Sequence, residues 1–77
     1  MISIEFRIYM KVFIRKDNLK RSLLRRNISR KVFCEKIGIT PIYFKLLLEG
    51  ERNPSPELRI KICDELNLKF DYLFCIK

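Results

Sequence analysis

The side chains of this sequence that can do chemistry near neutral pH are mostly cations. There are 17 Lys and Arg against 9 Asp and Glu, and no histidine, so the commonest general base is missing. No GxSxG, GxxxxGK[ST] or glycine-rich phosphate loop can be built around the two glycines. Glu35, Asp64 and Glu65 fall on helix surfaces as solvated charges and make no catalytic constellation. The sequence therefore argues against an enzyme. Cys34, Cys63 and Cys75 include no CxxC pair, and without histidine they complete no zinc set. They read as reduced thiols acting as small hydrophobes in a cytoplasmic protein. No metal, cofactor or small-molecule substrate is expected.

What remains is electrostatic. The net charge is +8, and all of the excess falls in residues 1–31, which carry ten cations and two acids; residues 32–77 balance seven against seven. A one-sided cationic field attracts a polyanion, nucleic acid first and an anionic membrane second. Its bland counterpart is a solvated basic face that aids solubility. The membrane reading weakens on inspection. Apolar runs such as Leu46-Leu47-Leu48 fall far short of a span, and Glu5, Arg7 and Lys11 interrupt any leader-like stretch. Residues 17–26 lack the moment of an interfacial helix. The six phenylalanines are spaced as core and strand residues, not as a base-stacking platform.

The elements that must position these cations are legible from periodicity. Ile2, Ile4, Phe6, Ile8, Met10, Val12 and Ile14 share one parity, which predicts a strand with one buried face. Its backbone groups need a partner, and the other short β-prone run is Leu73-Phe74-Cys75-Ile76. Residues 10–15 are therefore expected to pair antiparallel with 73–77. Residues 1–9 project beyond that partner: either they pair with a second copy or Met10 is the physiological start.

From Asp17 the period is helical. Asp17 or Asn18 is expected to cap a helix to about Arg26, with Leu19, Leu23 and Leu24 inward and Lys20, Arg21, Arg25 and Arg26 outward. Asn27 ends it. Ser29 caps a second helix, 30–37, burying Phe33, Cys34 and Ile37, and Gly38 suits the positive-φ turn that stops it. Thr40-Pro41 opens a third helix, burying Phe44, Leu47 and Leu48 and ending at Gly50. Ser55-Pro56-Glu57 opens a fourth, burying Leu58, Ile62, Cys63 and Leu66 and ending at Asn67; Glu57 complements its dipole. A helical turn near 70–74 precedes the last strand. With no repeat and no linker, the chain reads as one domain: an N-terminal strand or extension over 1–15, a helical core over 17–74 and a C-terminal strand over 73–77.

Two short helices joined by Gly38-Ile39-Thr40 make a helix-turn-helix, whose second helix enters the DNA major groove. The run ISRKVFCEKIGITPIYFKLLLEGERNPSPELRIKICDELNLKFDYLF resembles the family of phage lambda repressor and Cro proteins, also called the XRE family. Cys34 stands at its small-residue position, Gly38 at the turn glycine and Thr40 at the recognition-helix cap. Gly50, Pro54 and Leu66 follow at matching spacing, and the likeness covers about residues 17–74. It implies an all-α, lambda-repressor-like bundle of about five helices, carrying here the short pair of terminal strands. It also implies a transcriptional regulator on double-stranded DNA, acting as a homodimer on a two-fold site.

Carried over position by position, the resemblance implies base contacts from Arg30, Pro41, Ile42, Lys45 and Leu46, with Thr40 and Tyr43 within reach of backbone or base edge. Ser29, with Arg30, offers backbone N–H groups to a phosphate, and Arg26, Lys31 and Arg52 stand as further phosphate contacts. The sequence departs from its relatives at Pro41, Ile42 and Leu46, where polar residues are common. Bidentate base reading needs Arg, Lys, Asn or Gln, which leaves Arg30 and Lys45, while Ile42 can pack against a thymine methyl. Glu49 and Glu51 add negative charge at the helix end. Affinity is thus expected mainly from phosphates. An alternative also stands: Ile42 and Leu46, four apart on an outward face, form an exposed apolar pair that can dock a protein partner.

Overall fold

Hydroxyl caps set three of the helix starts. In the computed structural model, which describes residues 10–77, the order is β1 (Val12–Ile14), α1 (Lys16–Arg25), α2 (Arg30–Ile37), α3 (Pro41–Leu48), α4 (Pro56–Leu66), α5 (Phe70–Leu73) and β2 (Phe74–Ile76). Ser29 Oγ accepts the Val32 N–H at 3.2 Å, Thr40 Oγ1 that of Tyr43 at 3.1 Å, and Ser55 Oγ that of Leu58 at 3.2 Å. Pro41 and Pro56 follow in the first turn, where an N–H has no helical partner. The stops are as local as the starts. Asn27, Gly38, Gly50 and Asn67 all take positive φ. At Gly38 a φ of +79° turns the chain sharply out of α2, and its N–H donates to the Cys34 carbonyl at 2.9 Å. Thr40→Ala is expected to cost about 1 kcal/mol, seen as a lower urea midpoint at unchanged m-value. An unchanged midpoint would show that this cap contributes nothing.

The first helix departs from expectation. It begins at Lys16, and the flanking Arg15 makes no side-chain cap. The Asn18 amide, expected as a cap, donates instead to the Tyr72 carbonyl at 2.7 Å, and Arg15 Nε donates to the Asp71 and Phe74 carbonyls at 3.0 and 3.1 Å. These bonds tie α1 to α5 and the start of β2. Leu24, expected inside, is 76% exposed. Five residues after Leu19, it lies roughly 140° around the helix, off the buried face. Ser22 takes the inward place, its hydroxyl satisfied by the Asn18 carbonyl at 2.8 Å.

The core gathers Leu19 and Leu23 of α1, Phe33 and Ile37 of α2, Phe44 and Leu47 of α3, Ile62 and Leu66 of α4, and Leu73 and Phe74. Leu48 and Cys63, expected fully inside, are half-buried at its margin. Phe33 and Phe44 meet at 5.7 Å between ring centroids with a 60° tilt, which packs α2 on α3. Burial pushes the Cys34 thiol pKa up, against the lowering effect of Arg30 and with a smaller push from Glu35. It stays a neutral apolar residue.

The two strands pair as the patterning predicts, with Val12 opposite Ile76, Phe13 opposite Cys75 and Ile14 opposite Phe74. The ladder continues through Lys11 and Lys77, whose N–H and C=O groups exchange bonds at 2.8 and 2.9 Å. Ile14 is buried, Val12 half-buried and Met10 exposed, so the apolar parity leaves the core towards the N-terminus. The Val12 carbonyl accepts the Asn53 amide at 3.0 Å, which pins β1 to the loop after α3. Residues 1–9 of the expected strand lie outside the described residues.

Candidate nucleic-acid interface

The turn at Gly38-Ile39-Thr40 joins two helices of eight residues each. Phe44 and Leu47 hold α3 to the core, which leaves Pro41, Ile42 and Lys45 on its solvent side, Ile42 at 75% exposure. Arg30 opens α2, and its guanidinium carbon lies over the Phe44 ring, 5.7 Å from the centroid. That cation–π contact links the start of α2 to the body of α3.

Arg30 and Lys45, the two side chains able to read a base bidentately, are brought together. They line one recess of about 170 Å³ with Lys16 and Lys20 of α1, Leu48 and Glu49. Four cations from three helices thus meet a single acid. Among the described residues the one salt bridge is Lys36–Glu65 at 3.7 Å, so none of the four has a carboxylate within salt-bridge distance there. Concentrating unpaired positive charge is unfavourable unless a polyanion approaches. Sequence reasoning placed Lys20 outward but assigned neither it nor Lys16 to the site. The available signal was their i, i+4 spacing, which puts both on one stripe of α1. Leu24 continues that stripe into an adjoining apolar groove, where Lys20 and Arg30 stand beside Leu23, Ile28 and Phe44.

The other expected residues are distributed unevenly. The hydroxyls of Ser29 and Thr40 accept the cap bonds and stay exposed at the ends of α2 and α3. Tyr43 is half-buried against the core. Leu46 is half-buried too, so the outward apolar pair expected with Ile42 reduces to Ile42. After α3 the chain folds back, and the Glu51 and Arg52 amides donate to the Leu46 carbonyl at 3.0 and 3.3 Å. Lys31 and the Arg52 side chain are exposed and do not line the recess. Arg26 donates through Nη2 to the Leu66 carbonyl at the end of α4; its guanidinium therefore satisfies a helix C-terminus.

No helix of the described residues is long and apolar enough to cross a membrane. A family model described as helix-turn-helix matches residues 19–73, from within α1 to the end of α5. An uncharacterized HTH-type transcriptional regulator of Bacillus subtilis (strain 168), YvzC, is 31% identical over 64 residues, covering 83% of this chain and 83% of the relative. No solved structure matches. With the capped α2–turn–α3 unit, the flanking cations and a family match that spans that unit, this chain belongs to the helix-turn-helix family of DNA-binding transcriptional regulators, in its lambda repressor and Cro-like (XRE) branch.

Proposed function

We propose that the protein binds a preferred duplex site with α3 in the major groove, and that Lys16, Lys20, Arg30 and Lys45 hold the flanking backbone and base edges. The observation that carries this reading is the convergence of those four cations where α2 begins and α3 meets solvent. Arg30 and Lys45 supply the donors for base edges. Pro41, Thr40 and Tyr43 line the approach, Ser29 presents the α2 N-terminus to a phosphate, and Lys31 and Arg52 add peripheral backbone contacts. Phosphate contacts carry most of the affinity and no sequence information. Two modules on a two-fold site raise affinity and specificity together, which favours a homodimer on DNA.

Titration of duplex DNA at rising salt tests the reading. Log K is expected to fall linearly with log[salt], with a slope near −0.9 per neutralised phosphate. No binding even at low salt would overturn it. The exposure of Ile42 favours one competing reading, a module that docks a protein through α3. That reading requires duplex binding to be absent or indifferent to Arg30→Ala.

A further inference from the structure

Ile42 has no structural task in the described chain. It is 75% exposed in the first turn of α3, while its apolar neighbours Tyr43 and Leu46 are half-buried and Phe44 is buried. It lies at the N-terminal end of the helix, the end that in helix-turn-helix docking comes closest to base edges. Lys45 follows at i+3 on the same surface, and Lys45 shares the cationic recess with Arg30. An exposed apolar side chain thus shares the surface of α3 with Lys45, one of the recess cations.

We infer that Ile42 reads the C5-methyl group of a thymine, so that the preferred half-site carries a thymine next to the base met by Lys45. The inference rests on α3 occupying the major groove, as proposed above. Isoleucine has no donor or acceptor, and among the groups a base pair shows in that groove the thymine methyl is the apolar one. Pressed against a guanine, adenine or cytosine edge, Ile42 would strip water from polar atoms without replacing their hydrogen bonds. Positions 42 and 45 are separated by about 4.5 Å along the helix, between one and two base steps of about 3.4 Å, so they can reach neighbouring bases. A β-branched side chain in a helix is nearly confined to one χ1 rotamer, so little freedom is lost when it meets the methyl.

The test uses the full chain and a site selected from a random duplex pool. Thymines of that site are replaced singly by deoxyuridine, which removes the methyl and leaves base pairing unchanged. One thymine in each half-site is expected to lose about fourfold in affinity on this change. Ile42→Ala is expected to bind thymine and deoxyuridine sites within twofold of each other, with an unchanged salt slope. Ile42→Gln is expected to shift the preference there towards adenine. Because Ile42 is exposed, both variants should keep the wild-type urea midpoint, and this is checked first. If wild-type protein binds the selected site but is indifferent to deoxyuridine at every position, the inference fails while the DNA-binding reading stands. Full discrimination retained by Ile42→Ala also overturns it, since another side chain then reads the methyl. Failure to bind any duplex at low salt sinks both readings together.

Discussion

Phe44→Ala is expected to remove about 3–5 kcal/mol of stability, a large share of the total. A domain of this length is held by only about 4–12 kcal/mol in total. Phe44 is 1% exposed and packs on Phe33, so truncation opens a cavity where α2 meets α3. Both helices are short, and isolated helices of that length are unstable in water. They persist through such packing. Chemical denaturation followed by circular dichroism measures the loss directly, and a midpoint within error of wild type would refute this account of the core. Phe44→Leu separates packing from function. It keeps most of the apolar volume but removes the ring beneath Arg30. The variant is expected to stay folded while its affinity for duplex DNA falls a few-fold, in line with a cation–π contact of about 0.5–1 kcal/mol.

Removing three recess cations together, as Lys20→Ala/Arg30→Ala/Lys45→Ala, is expected to weaken duplex binding by about 10³-fold at low salt, roughly tenfold for each charge-assisted contact. If all three meet phosphates, the salt slope becomes shallower by about 2.7, or 0.9 per contact; a base contact by Lys45 or Arg30 lowers that figure but not the affinity loss. Arg30→Ala should be the most damaging single change, because a guanidinium fork can engage two acceptors at once. All three side chains are exposed, so the fold should survive. Lys61→Ala/Lys69→Ala removes two exposed cations that do not line the recess and should change affinity less than twofold. Equal losses from both sets would mean that net charge, rather than the recess, governs binding. An unchanged affinity in the triple variant would remove the basis of the proposed interface.

Much of this molecule is written locally. Ser29, Thr40 and Ser55 cap helices within three residues of themselves, and Gly38, Gly50, Asn27 and Asn67 stop them by tolerating positive φ. Such signals depend on one residue's own backbone preference and on bonds inside a single turn, so a sequence displays them openly. Strand alternation likewise foretold the pairing of β1 with β2. Arg30 and Lys45 are singled out first by the family resemblance, which supplies the positions, and then by chemistry, since among those positions they alone suit bidentate base contacts; the recess they share is what the fold adds.

The assembled chain decided the rest. Hydropathy favours Leu24 over Ser22 for the interior, yet helical geometry relative to Leu19 buries the serine and exposes the leucine. Arg26 was one more surface cation until α4 brought the Leu66 carbonyl to it across forty residues of sequence. Lys16 and Lys20 came to share a recess with Arg30 and Lys45 only through the assembly of α1, α2 and α3. Amino-acid order alone determined where α2, α3 and α4 begin and where the chain turns between them, since those choices are settled by neighbours in the chain. Which charges share a surface was left to packing between helices distant in sequence, because electrostatic fields add in space.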